Sequence, residues 1–336
     1  NFFSFPLKKE KGSKMKAIVC NNFGPIQDIE YKEVDQPKLD DDSVIIDVKS
    51  VGVNFPDGLL VQGKYQLKPE TPFIPGMEVS GEIMKTGQHV SNFKIGDRVT
   101  ALSQLNGYAE QTLVKEASVF KIPENMSFDD SCALLCAYGT SHYALKQRGK
   151  LQKGELLVVL GASGSTGLAA IQIGKIMGAK VIAVASNEEK QKIAKDNGAD
   201  LSIGYDNLKE ELKTISDGKG VDVIFDPVGG DVFETVARTM ARNGRLLVIG
   251  FASGTIPKLA VNLALVKEFS VVGVFWGAFT RGEPEEYKEN MIELFHWYEN
   301  KLIKPLVDEK FPLSEASMVL EKILSRGAKG KIILNP

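Results

Sequence analysis

A glycine-rich turn set between an apolar strand and a helix constrains this chain more than any other feature. Glu155–Leu160 reads as a short apolar strand, and Gly161-Ala-Ser163-Gly164-Ser165-Thr166-Gly167 follows it at once. The pattern then predicts a helix over Leu168–Met177, stopped by Gly178, and a second strand over Lys180–Ala185. Glycine in such a turn lets the backbone approach a pyrophosphate, and the unpaired N–H groups at the helix start bind its charge. The spacing is GxxGxxG rather than GxGxxG, so the placement between strand and helix carries the inference. A glycine-rich turn that binds nothing is the bland alternative.

The same alternation continues downstream. A helix is expected over Asn187–Asn197, ending at Gly198, then strands near Leu201–Gly204, Val221–Phe225, Arg245–Ile249 and Ser270–Phe275. Six strands alternating with helices specify a doubly wound α/β domain with a parallel sheet. Met15 to about Lys121 is different: short strands at Ser43–Lys49, Val79–Lys85, Asp97–Leu102 and Gly107–Val114 argue a small barrel or sandwich. The tail from about Pro284 holds two amphipathic helices and a last strand, Lys331–Leu334, and is expected to return to that barrel. A length of 336 residues agrees with two domains. The expected division is 15–137 with 280–336 against 138–279. Residues 1–14, NFFSFPLKKEKGSK, read as a leader or disordered extension.

Composition excludes more than it assigns. A net charge of -2 leaves no general basic footprint, so no nucleic-acid partner is expected. No apolar run approaches a membrane span. Three cysteines, Cys20, Cys132 and Cys136, argue against a disulfide framework and suit a reducing compartment, the cytoplasm. Cys132, Cys136 and His142 could suggest a metal, but they read better as packing residues of an apolar helix.

The end of the second strand bears on which dinucleotide fits. A site for NAD ordinarily places Asp or Glu there; this chain places Ser186, with Lys190 four residues on. Ser186 and Glu189 also satisfy an S-x-x-E capping box, and Glu188 and Glu189 oppose a phosphate.

Several stretches together resemble the quinone oxidoreductase branch of the medium-chain dehydrogenase/reductase superfamily, along essentially all of Met15–Pro336. They are Gly52-Val-Asn54-Phe-Pro-Asp57, Pro75-Gly76-Met77-Glu78, Gly139-Thr140, Gly161–Gly167, Asp226-Pro-Val-Gly-Gly230, Val272-Gly-Val-Phe-Trp-Gly277 and Gly330-Lys331-Ile-Ile-Leu334. The resemblance implies a GroES-like β-barrel catalytic domain plus a doubly wound Rossmann domain with a six-stranded parallel sheet. It places Ser186, Lys190 and Tyr205 at a 2′-phosphate site, which makes NADPH the implied cofactor. Other cofactor contacts would come from Asn54, Thr140, Gly161, Ser163, Gly164, Ser165, Thr166, Gly167, Gly250, Phe251, Ala252, Phe275 and Trp276. The last aromatics could equally be core. Ser165 and Thr166 depart from the family's AxGGVG turn and add hydroxyls.

Where zinc-dependent members of the superfamily carry Cys and His, this chain has Asn54 and Met77, so no metal is expected. Without a Lewis acid, quinones and conjugated enones are the apt acceptors, because arriving charge spreads through the conjugated system. The resemblance puts Asn54 and Tyr65 beside nicotinamide and substrate, as the catalytic candidates; the alternatives are that Asn54 orders a turn before Pro56 and that Tyr65 is a rim aromatic. An enoyl-thioester reductase and a non-catalytic nucleotide-dependent binding protein are the competing functions. Relatives also imply a homodimer, paired along Ser270–Phe275.

Overall fold

The computed structural model describes residues 12–336. Most of the expected leader, residues 1–11, lies outside the described residues. Lys14 already opens the first strand, Lys14–Val19, which pairs antiparallel with Glu30–Asp35. Lys14, placed in the expected leader, thus belongs to this strand.

The parallel sheet has six strands in the spatial order Leu201–Ile203, Lys180–Val184, Leu156–Val159, Val221–Asp226, Met240–Val248 and Ser270–Gly273. That is the 3-2-1-4-5-6 order of a dinucleotide fold. Strand period 2 explains why its central strand is apolar throughout. Leu157, Val159, Val181, Ala183, Val223 and Phe225 join the core under one helical layer. Leu156, Val158, Ile182, Val184 and Ile224 join the core under the other. A strand covered on both faces has no polar side to show.

The barrel domain is a sheet in the order Val307–Pro312, Lys331–Asn335, Ser43–Gly52, Glu78–Thr86, Arg98–Leu102 and Val119–Lys121, with Gln111–Lys115 paired to Ser43–Gly52. The tail does return here: Ile333 and Leu334 pair antiparallel with Gly52 and Val51. Three strands were not expected from the sequence: Glu30–Asp35, Val119–Lys121 and Val307–Pro312. Glu30–Asp35 is mostly exposed, Val307–Pro312 is half-buried but carries three charged residues, and Val119–Lys121 is only three residues long, so none shows an apolar row.

The helix Phe128–Tyr143 lies along both domains. Cys132 Sγ meets the Ser50 carbonyl of the barrel at 3.2 Å, and Ser141 Oγ donates to the Thr166 carbonyl of the glycine turn at 2.8 Å. A division at 137/138 falls inside this helix. Cys132, Cys136 and His142 are buried along it, all three cysteines of the chain are free, and His142 Nε2 contacts Glu293.

Candidate active site

The glycine turn opens the helix Ser165–Ile176, three residues earlier than the expected start at Leu168. The difference matters chemically, because it puts Ser165, Thr166 and Gly167 in the first turn. Gly164 is the N-cap and has no side chain to cap with. Its own amide bonds to the Gly161 carbonyl, and the Leu168 amide returns to Gly164. The amides of Ser165, Thr166 and Gly167 are left with no acceptor among the described contacts. Unpaired amides at the positive end of a twelve-residue helix suit an anion.

Two glycines in the turn answer to sterics. Gly161 sits at φ +57, and a side chain on Gly167 would meet the Gly161 carbonyl oxygen at 2.5 Å. Ser163 is buried, while Ser165 and Thr166 are half-exposed. The Gly161 amide donates to the Tyr205 hydroxyl at 3.0 Å, so Tyr205 stands against the turn. Burial raises the Tyr205 phenol above its usual pKa. Thr140 is half-exposed beside Ser141, which bonds to the turn.

At the end of Lys180–Val184, Ser186 is exposed and no carboxylate takes its place. The capping-box reading of Ser186 is corrected: the N-cap of the helix Glu188–Asp196 is Asn187, whose side chain accepts from the Lys190 amide at 2.9 Å. A shift of one residue leaves the Ser186 hydroxyl free. Glu189 pairs with Lys329 at 2.6 Å, which offsets its charge. Lys190 Nζ reaches across to the Arg326 carbonyl at 3.2 Å. Arg326 is close enough to Tyr205 to act on its ionisation. The C-terminal segment therefore adds two cations, Arg326 and Lys329, that sequence reading did not find. They lie well over a hundred residues from Lys190, so no local pattern announces them.

Gly250, Phe251 and Ala252 follow the strand Met240–Val248 and are fastened to the next loop. The Ile249 amide bonds to the Asp226 carbonyl and the Ala252 amide to that of Pro227. All three are half-exposed. Phe275 is exposed, but Trp276 is a core residue, edge-on to Tyr287 at 5.6 Å.

Asn54 caps the helix Phe55–Val61. Its amide donates to Asp57 Oδ2 at 2.8 Å, which the Tyr108 hydroxyl also reaches at 3.0 Å. Gly76, at φ +99, makes room for Tyr108, since a side chain there would lie 2.2 Å from the ring. The Asn54 carboxamide is engaged at both ends. Nδ2 donates to Glu78 Oε2 at 2.8 Å, and Oδ1 accepts from Lys331 Nζ at 2.8 Å. Lys331 and Glu78 form a fully buried ion pair at 2.5 Å. The other Glu78 oxygen accepts from the Cys136 amide at 2.7 Å. Asp57 Oδ1 is buried with no partner, and burial pushes the Asp57 carboxyl up to about 7. Tyr65 is half-buried; desolvation, then the charge of Asp57, raises its phenol. Asn54 and Tyr65 thus share one electrostatic neighbourhood. Met77 is half-buried against the Rossmann core. Among the described residues, no three of His, Cys, Asp and Glu gather as a metal cluster.

One backbone link joins the two parts of the site. The Gly330 amide donates to the Ser163 carbonyl at 2.8 Å, and Gly330 bridges Gly164. The next residue is Lys331.

Comparison with known proteins agrees with this architecture. The alcohol dehydrogenase GroES-like domain family matches residues 40–124, and the zinc-binding dehydrogenase family matches residues 165–297. A quinone oxidoreductase-like protein 2 homolog of Nematostella vectensis is 38% identical over 325 residues, covering 95% of this chain and 88% of the relative. The quinone oxidoreductase of Homo sapiens is 32% identical, covering 95% of this chain and 97% of its own. The solved structure of Escherichia coli quinone oxidoreductase complexed with NADPH superposes with a TM-score of 0.89 at 28% identity, covering 96% of this chain and 100% of that one. The chain belongs to the medium-chain dehydrogenase/reductase superfamily, in its quinone oxidoreductase branch.

Proposed function

We propose that this protein is an NADPH-dependent oxidoreductase that reduces a quinone or conjugated enone without a metal. The observation that carries the reading is a turn with three unpaired amides, bonded to Gly330, which leads into the strand Lys331–Asn335 whose first residue holds Asn54. The residues present fit the cofactor. Ser165, Thr166 and Gly167 would hold the pyrophosphate, and Ser186, Lys190, Tyr205 and Arg326 would receive a 2′-phosphate. Bound NADPH would supply a hydride. The E. coli relative solved with NADPH supports the same choice.

The protein's own groups divide the remaining work. Asn54 has both amide hydrogens engaged, by Glu78 and, at 3.3 Å, by the Gly52 carbonyl, so it can only accept from a ligand. The Tyr65 hydroxyl is the available donor for an acceptor oxygen. Donors waiting at the position of developing charge lower the barrier without reorganising. A panel assay following NADPH oxidation tests the reading. Turnover with quinones or enones is expected. Turnover confined to enoyl thioesters, or tight NADPH binding with no turnover, would overturn it.

The assembly we propose is a homodimer across the edge strand Ser270–Gly273. In the segment that leads into it, Ile256, Val261, Leu265 and Val266 are each more than 70% exposed, an apolar surface unusual for a monomer. Light scattering at micromolar concentration should give twice the 36.7 kDa chain mass. No helix among the described residues is long and apolar enough to cross a membrane, and the free buried thiols suit the cytoplasm.

A further inference from the structure

The buried pair Glu78–Lys331 has been given no role of its own so far, yet it touches the candidate catalytic residue on both sides. Its carboxylate meets the Asn54 NH2 group and its ammonium meets the Asn54 carbonyl oxygen. Turning the carboxamide over would set NH2 against the ammonium and oxygen against the carboxylate. Both contacts would become repulsive in a site where neither ion is more than 1% exposed. One orientation is therefore imposed, with the remaining lone pair of Oδ1 as the only open valence.

We propose that Glu78 and Lys331 are positioning residues that fix Asn54 as an obligate hydrogen-bond acceptor for a hydroxyl or amide donor of the bound nucleotide. The proposal rests on the reading that Asn54 faces the nucleotide. The fold invests other residues in the same arrangement. Gly52 leaves room for the pair, since a side chain there would lie 2.3 Å from Glu78 Oε2 and 2.9 Å from Lys331 Cε. Gly330, bonded to Ser163, sets Lys331 in register with the turn. The pair therefore orients Asn54 against the same frame that holds the phosphates. The Cys136 amide fixes the second Glu78 oxygen, so the carboxylate cannot rotate away.

The test is a mutant cycle between the pair and Asn54. Glu78→Gln combined with Lys331→Met removes both charges together, which avoids stranding either one. The expected result is a kcat for the acceptor lowered about tenfold, as for one misplaced catalytic contact, with nucleotide affinity, read by fluorescence titration, changed much less. Asn54→Ala should lower kcat similarly, and adding the pair substitutions to Asn54→Ala should lower it no further. A full additional loss in that background would show that the pair acts elsewhere and overturn the proposal alone. Unchanged kinetics in Asn54→Ala would overturn the reading of Asn54 and the proposal with it. If the double variant does not fold, Gly52→Ala displaces the pair without removing charge, and the same cycle applies.

Discussion

The glycine turn offers a ligand its backbone, whereas the floor beneath Asn54 consists of side chains held by charge. In the turn, the amides of Ser165, Thr166 and Gly167 are unpaired whatever their side chains are. In the floor, every contact of the Asn54 carboxamide except that to Gly52 is with a buried ion. A backbone site is sensitive to added bulk and tolerant of lost function groups. A charge-built site has the opposite sensitivity: it tolerates little loss, because removing one ion leaves its partner buried and unpaired.

The largest expected effect breaks the charge balance. Lys331→Met alone should destabilise the fold by about 3–5 kcal/mol, the usual cost of breaking a buried pair from one side. Adding Glu78→Gln should recover most of that loss. Denaturant melts of the two variants decide it. A single variant within about 1 kcal/mol of wild type would mean that water or a neighbour already compensates Glu78, and the contrast between turn and floor would weaken.

A second effect reads the floor through pH. The Asp57 carboxyl titrates near 7 in the fold because burial disfavours its charge, against an ordinary value of 3.8. The folded state thus holds the proton more tightly than the unfolded chain. Stability from Asp57 is complete below about pH 4 and is lost as pH rises through 7, on the order of 2–4 kcal/mol in all. Asp57→Asn should remove this slope, because an amide does not titrate. Melts of both proteins between pH 5 and 8 check it; parallel curves would mean that Asp57 is ionised in the fold.

The same contrast governs what could be read in the chain. The parallel sheet and its turn are legible because strand, glycines and helix lie within about thirty residues of each other. Their order in space follows from rules of handedness and crossover. The floor is assembled from residues far apart: Asn54 lies 277 positions from Lys331, and Glu78 lies 253 from it. Gly52, Glu78 and Lys331 stood inside stretches that resemble the family, but nothing local says that they meet. The one available signal was a lysine opening an otherwise apolar strand, where a buried charge demands a buried partner. Ser186 was misread for a smaller reason, since Ser and Asn side by side can both cap a helix.

The turn can be challenged by bulk. Gly167→Ala forces a side chain to within 2.5 Å of the Gly161 carbonyl oxygen, backbone against backbone. Nucleotide affinity should fall more than about tenfold, with a stability cost of about 1–3 kcal/mol. Ser165→Ala, which removes a hydroxyl and keeps the amide, should change affinity by less than about threefold. Equal losses in the two variants would show that side chains, not amides, hold the phosphates.

The smallest expected effect lies at the rim of the turn, where backbone recognition gives way to exposed charge. Lys190 sits on the first turn of its helix with its ammonium on the Arg326 carbonyl, and Ser186 beside it is free. A charge-assisted bond to a phosphate contributes roughly 1.5–3 kcal/mol at best, and solvent screening lowers that at an exposed site. The preference for NADPH over NADH in kcat/KM should therefore be at least about tenfold, corresponding to about 1.4 kcal/mol. Lys190→Ala should remove most of it, through the KM for NADPH rather than through kcat, since a contact made equally in ground and transition states changes binding alone. Arg326 keeps some positive charge nearby, while the charge of Lys329 is spent on Glu189. Added salt should shrink the preference in wild type and leave the variant nearly unaffected. Steady-state kinetics with both nucleotides at two ionic strengths measure this directly. A variant that keeps the full preference would place the 2′-phosphate on Arg326 and Tyr205 instead, and would move the charged rim of the site from the second strand to the C-terminal segment.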